Sequence, residues 1–291
     1  MLFEDTARNR RIGIAFISLS TLCFAGLDAC AKWLIQSLPV LEVVWLRFVL
    51  HTLITPLLLG PVHGRDLLRV RRPGLQVVRG VMLAAMTGLN FWALQYLQLA
   101  ETGAIQFSVP LLIALMSALW LGERLDARRW IAIAVGFGGV LLVVRPGTQG
   151  FHPALLLSVL NAVLYAAFNL LTRRMAATEH PAATQLMSAA CAALVLTPFA
   201  WSHWQTPPDA LSWALLVACG LCGGVGHYGV ALAHRYASAA VLGPFLYQQI
   251  LYMTLLGWLV FAQVPDGFVI VGTLVVVASG LYVLWLEMRH K

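Results

Sequence analysis

Residues 12–35 read IGIAFISLSTLCFAGLDACAKWLI. At a rise of about 1.5 Å per residue, this run is long enough for a helix to cross the ~30 Å hydrocarbon core of a bilayer. Ser20, Phe24, Asp28 and Lys32 recur every four residues and fall on one helix face. Arg8, Arg10 and Arg11 precede the run, which is too long for a signal-peptide core and carries Asp28, so it reads as a retained first span.

Nine more runs of this kind follow, at 41–60, 75–97, 102–121, 129–145, 153–173, 183–202, 211–233, 239–262 and 267–287. The breaks carry turn-forming residues, as in Arg72-Pro73-Gly74, Arg145-Pro146-Gly147 and Thr206-Pro207-Pro208-Asp209. Of 291 residues, 60% are hydrophobic and 11% charged, and the mean hydropathy is +0.82. A soluble domain is nearer 45–50% apolar and about 25% charged. The bilayer is therefore the solvent, and the loops are too short to hold a soluble catalytic domain. The expected fold class is an all-α integral membrane protein of ten transmembrane helices.

The net charge of +7 does not point to nucleic acid, because the arginines sit in short clusters between apolar runs. With a cytoplasmic N-terminus, sixteen of the 19 basic residues fall on the inner side, among them Arg65, Arg69, Arg71, Arg72, Arg79, Arg124, Arg128, Arg129, Arg173, Arg174, Arg235, Arg289 and Lys291. Arg145 alone falls outside, and Lys32 and Arg47 lie within spans. This bias sets both termini in the cytoplasm. The chain is expected in the cell membrane as a multi-pass protein, with the bacterial cytoplasmic membrane as its setting and the lipid bilayer as its partner.

Residues 1–147 and 151–291 each hold five runs and align as a repeat. At a shift of 141, Ser20, Phe24, Asp28 and Lys32 meet Asn161, Tyr165, Asn169 and Arg173. At a shift of 137, Asn90-Phe91 meets His227-Tyr228. At 140, Leu121-Gly122-Glu123 with Asp126 meets Phe261-Ala262-Gln263 with Asp266. Five spans per half is an odd number, so the second repeat must run inverted to the first, the arrangement of secondary transporters with a midplane site between repeats.

The chain resembles the drug/metabolite transporter superfamily in its ten-helix EamA-type exporter branch. The resemblance covers nearly the whole chain. It is carried by Trp45-Leu46-Arg47-Phe48, Arg79-Gly80, Ala100 to Gly103, Pro110, Leu121-Gly122-Glu123-Arg124-Leu125, and Gly136, Gly138 and Gly139. Tyr236-Ala237-Ser238-Ala239 and Val264-Pro265-Asp266 are second-half counterparts, and Gln263 stands where the family's second Glu often sits. The resemblance implies a secondary transporter exporting amino acids or related metabolites, a small-molecule substrate. A duplicated scaffold or accessory subunit without transport, and an intramembrane enzyme, are the competing classes.

A charge inside the bilayer is costly and marks function by default. Asp28 and Lys32 read either as an intrahelical pair with Lys32 reaching outward, or with Asp28 as a cavity carboxylate that binds an amino group or a proton. Asp28 is thus the candidate for proton coupling. Arg47 and His51 read as structural, with Arg47 bonding neighbouring carbonyls or Glu42. Ser158, Asn161, Tyr165 and Asn169 form one polar stripe that must face protein or a watery cavity. Asn90, Gln106, His227, Tyr228, Tyr247, Gln248 and Tyr252 complete the expected substrate-binding set, with Trp92, Gln95 and Tyr96 as further candidates. Pro110 and Pro244 each free a carbonyl and permit bending, so they are the expected gating positions.

Cys23, Cys30, Cys191, Cys219 and Cys222 lie in apolar runs and read as small hydrophobes, Cys219-Gly-Leu-Cys222 included. There is no HExxH, GxSxG or phosphate loop and no metal-spaced cluster, so no catalytic or metal site and no cofactor is expected.

Overall fold

The computed structural model describes residues 6–121, 126–175, 178–202 and 204–289. Among the described residues, twelve α-helices make ten candidate spans. These are α1 (Ala7–Leu34), α2 (Val40–His63), α3 (Pro73–Tyr96), α4 (Leu99–Gln106) with α5 (Val109–Leu121), α6 (Ala127–Val144), α7 (Ala154–Met175), α8 (Pro181–Trp201), α9 (Ala210–Tyr236), α10 (Ala239–Leu246) with α11 (Gln248–Phe261), and α12 (Gly267–Arg289). Among the described residues no strand occurs. The Gly122-Glu123-Arg124-Leu125 part of the family motif lies outside the described residues.

Short polar caps start several spans. Thr6 accepts the N–H of Asn9, Asp126 that of Arg129, Asp209 that of Ser212 and Asp266 that of Val269. The Ser212 contact holds the Asp209 carboxyl below its ordinary value. The Val269 N–H, joined by Arg145 at 2.8 Å, does the same for Asp266. That ion pair ties the end of α6 to the start of α12.

The fourth and ninth runs are interrupted where continuous helices were expected. In the fourth, Pro110 has no N–H for the carbonyl of Gln106, and the Ser108 N–H and hydroxyl turn back to Ile105 instead. In the ninth, α10 gives way to α11 at Tyr247, three residues after Pro244. By contrast, α2 runs on through Pro56 and Pro61, past the break expected at residue 60. Lipid offers its backbone no alternative partner.

Polarity is inverted relative to a soluble protein. Leu57, Val62 and Leu194 are more than 70% exposed, while Ser20, Glu42 and His51 are buried at 1% or less. Helix α1 packs along α9 and α11, and α7 along α3 and the α4–α5 pair. Helix α2 meets α8 and α9, α3 also meets α8, and α6 lies against α12. Close approach depends on glycine. A Cβ on Gly139 would sit 2.8 Å from the Gly272 carbonyl oxygen, and one on Gly272 would sit 2.7 Å from that of Gly139. Backbones this near are held by contact, since lipid removes the hydrophobic drive for helix association.

Gly139→Ala is therefore expected to destabilise the purified protein by about 1–3 kcal/mol, the usual cost of overpacking. Gly138→Ala, whose Cβ would meet nothing within 4 Å, should be neutral or gain up to about 1 kcal/mol from helix propensity. Thermal melts of the two variants in detergent check the contrast.

Candidate functional site

A cavity of about 270 Å3 lies between the helices of the two halves. Helix α1 contributes Phe24 and Asp28, α2 contributes Arg47, and α3 contributes Met86, Thr87, Asn90 and Phe91. The interrupted α4–α5 span supplies Gln106, Phe107 and Pro110. From the second half come Asn161, Tyr165 and Asn169 on α7, His227 on α9, and Gln249 and Met253 on α11. The walls are thus apolar and aromatic, with a few polar groups, the usual make-up of a small-molecule site.

The polar stripe of α7 turns inward as one face. Asn161 donates to Gln106 Oε1 at 3.4 Å, and Asn169 donates to the Tyr165 carbonyl at 2.7 Å. Asn161 Oδ1 and the Ser158 hydroxyl are buried with no partner among the described residues. His227 packs edge-on to Phe24 at 5.0 Å and parallel to His51 at 6.2 Å. Asn90 donates to Asp28 Oδ1 at 2.9 Å.

Of the sequence-derived set, Asp28, Asn90, Gln106, Pro110, Asn161, Tyr165, Asn169 and His227 border this cavity. Tyr228, Tyr247, Gln248, Tyr252 and Pro244 are not among its lining residues. Tyr228 packs edge-on to His63 at 6.0 Å, and Tyr247 lies 5.2 Å from Phe107. Gln248 donates to Ser18 at 2.8 Å and accepts from the Tyr252 hydroxyl at 3.3 Å. Trp92 and Tyr96 are exposed on the outer face of α3.

Three readings of intramembrane charge are corrected. Lys32 neither pairs with Asp28 nor reaches outward. It is buried, and its ammonium donates to the carbonyls of Leu94 (2.8 Å) and Leu97. Those carbonyls end α3 and have no intrahelical partner, so a cation there satisfies both hydrogen bonding and the helix dipole. Arg79, counted among the inner-side charges at the opening of the third run, is not a free surface charge. It is buried in α3 and donates to Thr172 (3.0 Å), to the Thr184 carbonyl (3.3 Å) and to Ser188, joining α3 to α7 and α8. Arg47 does not bond Glu42, whose carboxylate accepts the N–H of Gln205 at 2.9 Å. Arg47 donates to Thr87 at 3.2 Å and borders the cavity.

Arg47 is the residue the sequence undervalued, along with Thr87 and Phe107. A signal was present: unlike Lys32, Arg47 has no acidic residue three or four positions away on its own helix, so nothing local could neutralise it.

Ten spans around a part-polar cavity built by both halves are the construction of a membrane transporter. The chain belongs to the EamA-like transporter family, whose pattern matches residues 11–145 and again 152–285. Among curated relatives, it is 25% identical to an S-adenosylmethionine uptake transporter of Rickettsia felis, over 98% of this chain and 97% of that one. It is 29% identical to a pseudopaline exporter of Pseudomonas aeruginosa (92% and 94%) and 27% identical to a riboflavin transporter of Vibrio cholerae (96% and 95%). A solved crystal structure at 23% identity matches with a TM-score of 0.65, covering 99% of this chain and 100% of that one, which shows the shared fold. The chain is thus a multi-pass membrane transporter and not an enzyme.

Tyr165→Ala is expected to lower transport at least about tenfold, as loss of an aromatic contact worth ~1.5 kcal/mol would, while the protein still folds in the membrane. Tyr252→Phe, which removes a hydrogen bond away from the cavity, should leave flux within about twofold, near the low end of a net hydrogen-bond contribution. Flux in liposomes, beside the yield of folded protein, checks both.

Proposed function

We propose that this chain is a secondary transporter that exports small polar metabolites, amino acids and their derivatives foremost, across the cytoplasmic membrane of a bacterium by alternating access. The observation that carries this reading is the cavity itself: it draws on both halves of the chain and holds an acid, a base and several amides in an apolar, aromatic frame. A scaffold has no use for such groups, since each costs free energy in the bilayer.

The two five-helix units, 1–147 and 151–291, are taken as inverted repeats with both termini cytoplasmic. The helix neighbours support this. Exchanging each span for the one five places on converts the α1–α9 contact into α7–α3, α1–α11 into α7 with α4–α5, and α2–α9 into α8–α3. The α2–α8 and α6–α12 contacts map onto themselves. Two backbone latches follow the same pattern at opposite ends of the bundle. Glu179, just before α8, accepts the N–H groups of Arg71 (3.1 Å) and Arg72 (2.7 Å) just before α3. Glu42, at the start of α2, accepts the N–H of Gln205 before α9. Opening one end while the other stays latched is what alternating access requires, because a cavity open to both sides would leak. The interruptions near Pro110 and Pro244 are the proposed hinges, and Asp28 is the proposed proton-coupling group.

Two measurements decide the reading. In a cysteine-free background, cysteine at Thr206 should react with an impermeant maleimide from outside and cysteine at Arg71 should not; the reverse overturns the orientation. The purified chain in liposomes should exchange labelled amino acids saturably, and cross-linking the α4–α5 and α10–α11 junctions to their neighbours should abolish exchange. Undiminished exchange under complete cross-linking overturns the hinges. Flux driven by an imposed pH gradient in the parent and lost in Asp28→Asn supports coupling; gradient-independent flux in both removes it.

A further inference from the structure

Among the described residues three cations lie buried in the spans: Lys32, Arg47 and Arg79. Two of them are used up by the protein. The Lys32 ammonium is spent on the carbonyls that end α3, and it lies 5.6 Å from the ring centroid of Phe261. Arg79 is spent on Thr172, Thr184 and Ser188, and stacks on Phe168 at 4.3 Å. Arg47 is only 4% exposed yet makes one hydrogen bond, to the Thr87 hydroxyl, and rests on Phe48 at 4.4 Å. Its Nε is buried without a partner, and among the described residues no carboxylate forms an ion pair with it. Helix α9 leaves room for this side chain by carrying Gly223 opposite it, where a Cβ would come within 3.3 Å of the guanidinium. A buried guanidinium with spare donors on a cavity wall is a site lacking its anion.

Asp28 is its complement. The carboxylate borders the same cavity, accepts one hydrogen bond from Asn90, and is within ion-pair distance of no cation among the described residues. Among the described residues the two side chains form no ion pair with each other, and α3 holds each separately. Thr87 takes Arg47 and Asn90 takes Asp28, three residues apart on one helix face. That spacing sets the two anchoring positions about one helical turn, ~5 Å, apart along α3.

We propose that Arg47 and Asp28 together recognise the zwitterionic head of an α-amino acid, the carboxylate on the Arg47 guanidinium and the ammonium on the Asp28 carboxylate. Thr87 and Asn90 position the pair. The rest of the substrate then lies against Phe91, Phe107 and Met253, which suits an apolar or flat tail. This rests on the transporter reading above and deepens it: the substrate class is defined by its head group, with the tail loosely specified by aromatic and thioether surfaces that repack readily.

The test uses the full chain purified in detergent and in liposomes. Free amino acids, S-adenosylmethionine and riboflavin are compared by ligand-induced thermal stabilisation and by competition with flux. For the tightest-binding zwitterion, three analogues follow: the carboxamide, the decarboxylated amine and the acid lacking the amino group. Each should bind about ten- to a hundredfold more weakly than the zwitterion, the worth of a hydrogen bond to a charged group. Arg47→Gln should erase the preference for acid over carboxamide, and Arg47→Lys should keep part of it. Asp28→Asn should erase the preference for the amino compound over the one lacking it. Equal weakening of all four ligands in Arg47→Gln would mark a structural role and overturn the proposal. If that variant does not fold, the analogue series on the parent decides alone, since equal binding of acid and carboxamide overturns it. Flux of riboflavin with no zwitterion binding also overturns the head-group assignment while leaving the transporter standing. No flux of any probe would count against the transporter reading as well.

Discussion

Helix α3 is bracketed by opposite charges from elsewhere in the chain. Glu179 accepts the N–H groups just before it, and Lys32 donates to the carbonyls that end it. Each charge matches the helix dipole and satisfies groups that lipid cannot. Between these ends, the same helix joins α7 and α8 through Arg79, α2 through Thr87, and α1 through Asn90. A span fixed in this way is a reference against which the rest of the bundle is placed. The cavity forms along the face of α3 that carries Thr87, Asn90 and Phe91.

The glycines work on a different term. Helix α9 turns Gly226 and Gly229 towards Phe24 and Ser20 of α1, and Gly220 and Gly223 towards Leu50 and Arg47 of α2. Without side chains on those faces, the two helices approach closely enough for dispersion contacts to hold them, the main attraction left when lipid is the solvent. The same close approach brings His227 and Arg47 to one cavity, so packing and site are set by one run of small residues. It also explains why the polar residues cluster inward: the outer faces need only be apolar, whereas the inner faces offer donors and acceptors partners on neighbouring helices or a place on the cavity wall.

The charges divide by how fully the protein satisfies them. Lys32 and Arg79 have their donors spent within the bundle, and they hold helices together. Arg47 and Asp28 have one partner each, and they face open space. Sequence spacing alone could not make this division. Asp28 and Lys32 are four residues apart and looked like partners, yet each finds a better one on α3, because α1 and α3 meet side by side there.

The sequence by itself determined the solvent, the ten spans, the family and the inward-facing stripe of α7. All of these depend on composition, run length and periodicity, which are local properties of the chain. It also marked Pro110, whose missing N–H interrupts the fourth span. Tertiary structure alone decided which polar residues share a cavity. Asn161, Tyr165 and Asn169 border it with Asn90, while Tyr228, Gln248 and Tyr252 turn to Ser18, His63 and one another. The reason is that a spanning helix has about as many inward positions facing its neighbours as facing a cavity, and only the crossing of α1, α2, α3 and α9 distinguishes them. Arg47 was legible as a buried charge. That its donors remain unspent is a property of what surrounds it, and those surroundings come from helices tens to hundreds of residues away.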